Sequence, residues 1–557
     1  MTPTETPLSP FQRLVNLLSN ERRDIGYIYF YAIAVGLISL ILPLGVQAIF
    51  NLVKTGSVFS SVYLLMGLVI IGLLTSGIMQ IVQVSIVEIL QKRIFAKAAF
   101  EFSYRLPRIK TEALLNSHPP ELMNRFFDVL TIQKALPKFL IDITAAFLQI
   151  LFGLLLLSFY HPFFIAFGII VIFGLIVMVR VRGKKGLETS IQESKYKYKV
   201  VQWLEDIAGT IQSFKLAGNT NLPLQKMDGL VSNYLMYRSK HFKILKEFYI
   251  YALVFKTIII GGLLILGTYL LVNLQISLGQ FVASEIIIVL LTGAVEKLIL
   301  SIDIIFDLLT AVDKIGHVTD LPNEPQGGHE LIINDNTEGL KVRVSNLCYQ
   351  YPDSPKKTLS DISFSISAGE RVCVTGQSGS GKNTLSKILS GILTTYEGSV
   401  SFNDFSMRDL NINVLRDYVE MNTPNHEIFD GTILENLTMG RERVSIDSVQ
   451  NVITQLQLGD EIASLPNGLS TQIISGGKQL SVSFITKIAL ARMLIAKPKL
   501  LIFHDSLANL EQKDRLKIIK LLTDPKQPWT LIVLSNDPNM IATCQRVFVM
   551  ADGQIKE

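Results

Sequence analysis

The sequence predicts an α-helical domain of six membrane spans followed by an α/β domain built around a phosphate-binding loop (P-loop). Three observations carry this reading: six apolar runs in the first three-fifths of the chain, a cluster of prolines and glycines behind them, and a strand, glycine-rich loop and helix in series near Gly376.

The spans come first. Of 557 residues, 49% are hydrophobic and only 18% charged, and the mean hydropathy is +0.38. That balance exceeds what a soluble chain carries, so part of the chain belongs in lipid. The runs lie near 27–50, 62–90, 139–160, 162–179, 249–272 and 278–302. Each has about 18 residues or more and hardly a charge, enough to cross a hydrocarbon layer of about 30 Å as helix. A helix also satisfies its own backbone, as lipid demands. Pro43, inside the first run, should kink it.

Charge sets the orientation. The connections at 51–61, 161–162 and 273–277 are short, and Lys54 is their only base. Those at 91–138 and 180–246 are long and rich in Lys and Arg, so they lie on the cytoplasmic side together with both termini. The net charge of +5 is then accounted for without a nucleic-acid partner. Strong helix formers in 195–216 and 234–247 extend the spans into the cytosol. Residues 1–24 lack a cleavable-leader pattern and read as a cytosolic N-terminal segment. Cys348, Cys373 and Cys544 have no metal-type spacing and fit a reducing compartment. The helical domain takes up 25–318, and the Pro/Gly cluster marks a linker at 319–338. An α/β domain at 339–557 alternates short apolar strands with helical runs.

In that last domain the strand Arg371–Thr375 runs into Gly376, Gln377, Ser378, Gly379, Ser380, Gly381, Lys382, Asn383 and Thr384, followed by helix. Glycines let backbone N–H groups turn inward round phosphate oxygens, the helix start adds positive potential, and Lys382 reaches the terminal phosphates. Asn383 stands where a hydroxyl would hold magnesium, and Thr384 comes one residue late for that task. Asn383 is therefore the one candidate metal ligand of the loop.

With this loop behind six spans, the chain resembles a half-transporter of the ATP-binding-cassette (ABC) exporter family over nearly its whole length. Within the family it looks closest to haemolysin-type, type I secretion exporters. Residues 119–128 resemble the first cytoplasmic coupling segment and 209–214 the second. The resemblance implies an ABC ATPase domain that binds ATP, with Tyr351 placed to stack on adenine. It also shows serial loss. The γ-phosphate glutamine is replaced by Pro424. The signature that caps a partner's ATP reads Leu480, Ser481, Val482, Ser483 and Phe484, where Ser481 could still donate and Val482 crowds the phosphate. Ser475, Gly476 and Gly477 mimic that signature, but five residues early. The acidic pair at the strand end is His504 and Asp505, the latter a candidate base one methylene short. The switch histidine is Asn536.

Such losses imply retained ATP binding, doubtful Mg²⁺ and hydrolysis slowed by orders of magnitude. The expected assembly is a heterodimer with an intact half-transporter in a bacterial inner membrane. A periplasmic adaptor is implied by the haemolysin-type resemblance. The alternative is a non-hydrolysing membrane scaffold or regulatory subunit that keeps the fold.

Overall fold

The computed structural model describes residues 8–54, 59–115, 119–331, 339–352, 354–422 and 428–556. The chain divides into two compact units: Met1–Arg108 with Asn116–Leu321, and Ile109–Leu115 with Pro322–Glu557.

The first unit is helical. Its helices are α1 (Pro10–Ser19), α2 (Arg22–Ser39), α3 (Ile41–Lys54) and α4 (Phe59–Arg105), then, past the short α5 (Thr111–Leu114) of the other unit, α6 (Pro119–Asn124) and α7 (Asp128–Pro137). There follow α8 (Thr144–Tyr160), α9 (Pro162–Gly209), α10 (Ile211–Leu216), α11 (Leu222–Val272), α12 (Leu278–Leu300) and α13 (Ile302–Thr319). Among the described residues five helical stretches are long and apolar enough to cross a membrane: Arg22–Lys54, Ser60–Arg108, Glu121–Tyr160, Pro162–Gly209 and Leu222–Val272. The sixth expected span is α12, whose 23 residues reach about 34 Å, and much of it is buried inside the bundle. Outward faces carry large apolar side chains such as Leu64, Phe159 and Ile265, all well exposed in the isolated chain as lipid-facing residues should be.

The first span breaks between α2 and α3 at Leu40, which caps α2. Pro43 lies just beyond; it has no N–H for the Ser39 carbonyl, so the helix restarts with Leu44 N–H on Leu40 O at 3.2 Å. α9 and α11 run 48 and 51 residues, longer than a bilayer crossing needs, as their stretches of strong helix formers allow. The spans are less free of charge than the sequence suggests. Lys256 on α11 pairs with Glu296 on α12 at 2.9 Å, and Lys297 pairs with Asp142 at 2.7 Å.

The second unit has two sheets. β1 (Val342–Tyr349), β2 (Leu359–Ile366), β4 (Glu397–Phe402) and β5 (Phe405–Ser406) form an antiparallel sheet of order β2-β1-β4-β5. β1 shows the alternating burial of a sheet with one covered face. The larger sheet has the order β12-β11-β3-β10-β9-β6, using β3 (Arg371–Thr375), β6 (Val419–Met421), β9 (Leu500–His504), β10 (Thr530–Leu534), β11 (Arg546–Ala551) and β12 (Gln554–Lys556). It is parallel except for β12. β9 and β10 are buried along their whole length, hence their unbroken apolar sequences.

Helix α14 (Lys382–Leu389) packs between the two sheets in one apolar core. A second core joins the larger sheet to a helical lobe. α15 (Ile412–Arg416) packs into the first core, and the lobe comprises α16 (Ile433–Thr438), α17 (Ile446–Gln455), α18 (Gly459–Ala463), α19 (Val482–Ile495), α20 (Gln512–Thr523) and α21 (Pro538–Thr543), with the small pair β7 (Gly431–Thr432) and β8 (Gln472–Ile473). The C-terminal ends of β3, β9 and β10 lie side by side and deliver the residues of the site.

Candidate functional site

β3 ends at Thr375 and the chain turns through Gly376, Gly379 and Gly381, at φ of 145°, 84° and 103°. Two of these glycines are obligatory. A Cβ on Gly376 would stand 2.1 Å from Met550 O, and one on Gly381 would stand 2.9 Å from Thr358 O. Gly381 caps α14, so the first N–H groups of that helix face the loop. The hollow is therefore formed by backbone, with Gln377, Ser378 and Gly379 exposed and Ser380 buried beneath.

Lys382 folds back over this hollow. Its Nζ donates to Gly376 O at 2.6 Å, Gln377 O at 2.8 Å and Ser380 Oγ at 3.3 Å. Partial burial pushes its ammonium down from the ordinary value. Tyr351 stacks edge-on against Tyr349, with ring centroids 4.9 Å apart, and its hydroxyl lies 3.3 Å from Thr384 Oγ1. These two tyrosines flank the loop on the β1 side. Asn383 presents its side chain to solvent, while its carbonyl accepts from Ser386 Oγ at 3.0 Å.

His504 ends β9 almost fully buried. Its Nε2 lies 2.9 Å from Ser386 Oγ. The same hydroxyl lies 3.0 Å from Asn383 O, and the imidazole tautomer sets which atom of the Ser386–His504 pair donates. Asn422 brackets the same residue: its Oδ1 accepts from His504 N at 2.5 Å, and its Nδ2 donates to His504 O at 2.7 Å and to Ser506 Oγ at 3.1 Å. Burial, with a smaller contribution from Lys387, pushes the imidazole down to about 4, so it is neutral at physiological pH.

Asp505 is occupied on both oxygens. Oδ2 accepts from Ser535 Oγ at 2.6 Å and Oδ1 from Leu507 N at 3.3 Å. Asn536, after β10, ties itself to the loop: its Oδ1 accepts from Thr375 Oγ1 at 2.7 Å and Gly376 N at 3.1 Å, and its Nδ2 donates to Gly376 O at 3.1 Å.

At the far end of the lobe Ser481 caps α19, its Oγ accepting from Phe484 N at 3.1 Å. Ser481 and Val482 are exposed, and Phe484 is buried in the lobe core. Pro424 lies outside the described residues.

Within one chain the strand ends gather the loop, Tyr351, His504, Asp505 and Asn536, while Ser481 and Val482 occupy a separate exposed helix start. Sequence reasoning missed Ser386, Asn422 and Ser535, the partners that hold His504 and Asp505. They lie 118, 82 and 30 positions from the residues they hold, so no local pattern announces them. Residues 119–128 belong to the helical unit, whereas Ile109–Leu115 groups with the α/β unit. There Glu112 Oε1 accepts from Thr394 N at 2.7 Å and Thr395 N at 2.8 Å.

Comparison with known proteins follows the same division. Residues 25–295 match the ABC transporter transmembrane region and 359–508 the ABC transporter domain, together about three quarters of the chain. A probable multidrug resistance ABC transporter ATP-binding/permease protein of Bacillus subtilis, YheI, is 30% identical over 223 residues, 40% of this chain and 38% of that one. An ATP-dependent lipid A-core flippase of Saccharophagus degradans is 29% identical over 250 residues, 45% and 42% of the two chains. The matched part thus spans about two-fifths of the length of these relatives. A bacterial Atm1-family ABC exporter, solved with ATP bound, superposes with a TM-score of 0.85 over 96% of this chain and 94% of its own, at 18% identity.

Proposed function

The chain belongs to the ABC transporters, as a half-transporter with an exporter fold embedded in a membrane, and from that premise we propose that it is the hydrolysis-deficient member of a heterodimeric exporter. The observation that carries this is a contrast within one site. The glycine hollow and Lys382 are intact, while each described position that would cut the nucleotide is satisfied by a neighbour.

ATP fits the hollow. A Cβ at Gly376 or Gly381 would clash with backbone, so the loop is kept open for a ligand of phosphate shape. Backbone N–H groups and the start of α14 would hold the β- and γ-phosphates, Lys382 would leave its carbonyls for the terminal oxygens, and Tyr351 would stack on the base. Bound ATP supplies the charge and surface on which two nucleotide-binding domains close. Ser481 would donate toward the partner's ATP, with Val482 holding that contact long.

Magnesium does not fit. The donor set is one exposed amide, Asn383, and a neutral imidazole, His504, whose Nε2 is engaged by Ser386. Neither resembles the hard oxygen set that magnesium takes. Asp505 has both oxygens engaged, so it is poorly placed to orient a water. Losses of about 2–4 kcal/mol for each group that stabilises a transition state slow hydrolysis by several orders of magnitude.

Membrane orientation, with the α/β domain in the cytosol of a bacterium, rests on the basic loops. The domain limits 25–318, 319–338 and 339–557 are part of the same proposal. The relatives named for multidrug resistance and lipid flipping favour a small amphiphile or lipid as cargo over the polypeptide and adaptor of a haemolysin-type system. A second reading, a membrane scaffold using ATP as a structural ligand, is favoured by the completeness of the internal pairing around His504, Asp505 and Asn536. Co-purification with an intact half-transporter separates the two.

The test is equilibrium ATP binding and steady-state turnover of the purified full chain in lipid, with and without magnesium. ATP should bind with an affinity that magnesium changes little, and turnover should be negligible. Brisk magnesium-dependent hydrolysis by this chain alone, abolished by Lys382→Ala, would overturn the proposal.

A further inference from the structure

Positive charge on the helical unit is answered in some places and not in others. The first bases met along α4 and α12 have acids beside them: Lys92 lies 3.3 Å from Glu88, Arg93 2.9 Å from Asp24, and Lys297 2.7 Å from Asp142. Along the packed pair α9 and α11 the pattern differs. Arg180, Lys184 and Lys185 on α9 and Lys243 and Lys246 on α11 are all exposed, and none makes an ion pair or a side-chain hydrogen bond among the described residues.

One contact fixes how these two helices are aligned. Arg182 Nε lies 2.9 Å from Glu247 Oε2, so the two residues are level. The helices run in opposite directions, and a rise of about 1.5 Å per residue sets Lys184, Lys185, Lys243 and Lys246 about 2–6 Å to the cytosolic side of that bridge, with Arg180 about 3 Å to the other side. The five bases thus form one belt about 9 Å tall. Arg182 follows Pro162 by 20 residues, about 30 Å of helix and so the depth of the hydrocarbon layer. The belt therefore stands where headgroups begin. Tyr249 and Tyr251, both exposed, follow on α11 about 3–6 Å nearer the bilayer, where amphipathic rings gather at that boundary.

Little within the belt neutralises it. Over 180–190 and 240–252 the acids are Glu188 and Glu247, and Glu247 is already held by Arg182. Lys240, the remaining lysine of the second stretch, turns to the ring of Tyr237 at 4.9 Å. Five like charges at one level repel one another, a cost that an anion among them would relieve.

We propose that this belt binds an anionic phospholipid, its phosphodiester held by Lys185, Lys243 and the bases beside them and its acyl chains lying along the exposed apolar side chains on the bilayer side, among them Ile176, Val177 and Leu253. Charge and position together choose this occupant. A nucleic acid or an acidic protein would answer the charge, but neither brings apolar tails to the faces that adjoin the belt. At a membrane surface each base strengthens the hold on an anionic lipid by about fivefold. The inference goes beyond the nucleotide reading and holds whether or not ATP is hydrolysed.

The test is native mass spectrometry of the purified full chain in a neutral detergent, titrated with phosphatidylglycerol and, as reference, with phosphatidylcholine of the same chains. Wild type should bind the first phosphatidylglycerol about tenfold or more tightly than phosphatidylcholine. Lys185→Gln with Lys243→Gln should remove about tenfold of that affinity, and Lys185→Arg with Lys243→Arg should keep it, all with unchanged helical circular dichroism. Lys195→Gln with Lys199→Gln takes away the same charge about 15 Å or more beyond Lys185, past the screening length, and should change nothing. Equal affinity for the two lipids in wild type would overturn the proposal. So would a glutamine pair at 185 and 243 that binds phosphatidylglycerol as wild type does, or an equal loss in the pair at 195 and 199, which would make the attraction a general one. Displacement of the lipid by millimolar inorganic phosphate would overturn it as well, since the chains would then contribute nothing.

Discussion

Lowering the pH should strain the nucleotide-binding domain at one residue, His504. Its imidazole titrates near 4 when folded and near 6.5 when free, because charging it would leave a buried cation whose Nε2–H is committed to Ser386. For a base with a lowered folded value, stability is fully present above 6.5 and is lost as pH falls toward 4. At pH 5 the unfolded chain is almost wholly protonated at this residue and the folded one hardly at all. The loss relative to pH 8 is about 2 kcal/mol, growing to about 3 kcal/mol below pH 4. His504→Asn keeps an amide for Ser386 and removes the proton site, so the difference between wild type and variant isolates this residue from every other titration. Trp529, buried in the lobe core, reports unfolding of that domain in a Trp203→Phe background. Urea unfolding of the full chain at pH 8 and pH 5 should show the two proteins converging by about 2 kcal/mol at the lower pH. Parallel losses in both would refute the neutral, bracketed histidine and reopen the strand end to a metal.

Other outcomes follow from the same geometry. Lys382→Ala should weaken ATP binding by about 10- to 100-fold, the range of a charge-assisted contact of about 1.5–3 kcal/mol, as read by calorimetry; an unchanged affinity would show that the nucleotide sits elsewhere. Tyr351→Ala should cost about 1 kcal/mol of ATP affinity through lost stacking, and GTP should suffer likewise. Gly381→Ala should distort the loop, since its φ of 103° and the Thr358 carbonyl both exclude a side chain; ATP binding should fall while the helical unit stays folded by circular dichroism. Glu112→Ala removes an acceptor shared by two amides, so hydrogen exchange at Thr394 and Thr395 should accelerate by about 5- to 30-fold, with ATP affinity unchanged.

The parts of the molecule that could be read in advance are those governed by local rules. Lipid demands long apolar helices, and the runs near 62–90, 162–179 and 249–272 became helices of 47, 48 and 51 residues. The P-loop was readable because backbone geometry at Gly376 and Gly381 admits one residue type. The partners of His504 and Asp505 were not readable, because they depend on what the fold brings across. His504 is explained by Ser386 on α14 and Asn422 just after β6, and Asp505 by Ser535 just after β10. Glu112 was not readable either: it is a lone carboxylate that no motif marks, and only the fold brings Thr394 and Thr395 to it.

The three hydrogen bonds of Asn536 to Thr375 and Gly376 have a thermodynamic corollary. They clamp the entrance of the glycine turn before any ligand arrives, so the entropy of setting that turn is spent during folding. Nucleotide should then meet a receptor already in shape, and the heat capacity change on binding should be no larger than the contact area requires. On the proposed reading, a subunit that does not turn over needs no hinge at that point, and a stiff cradle suits one whose task is to stay loaded.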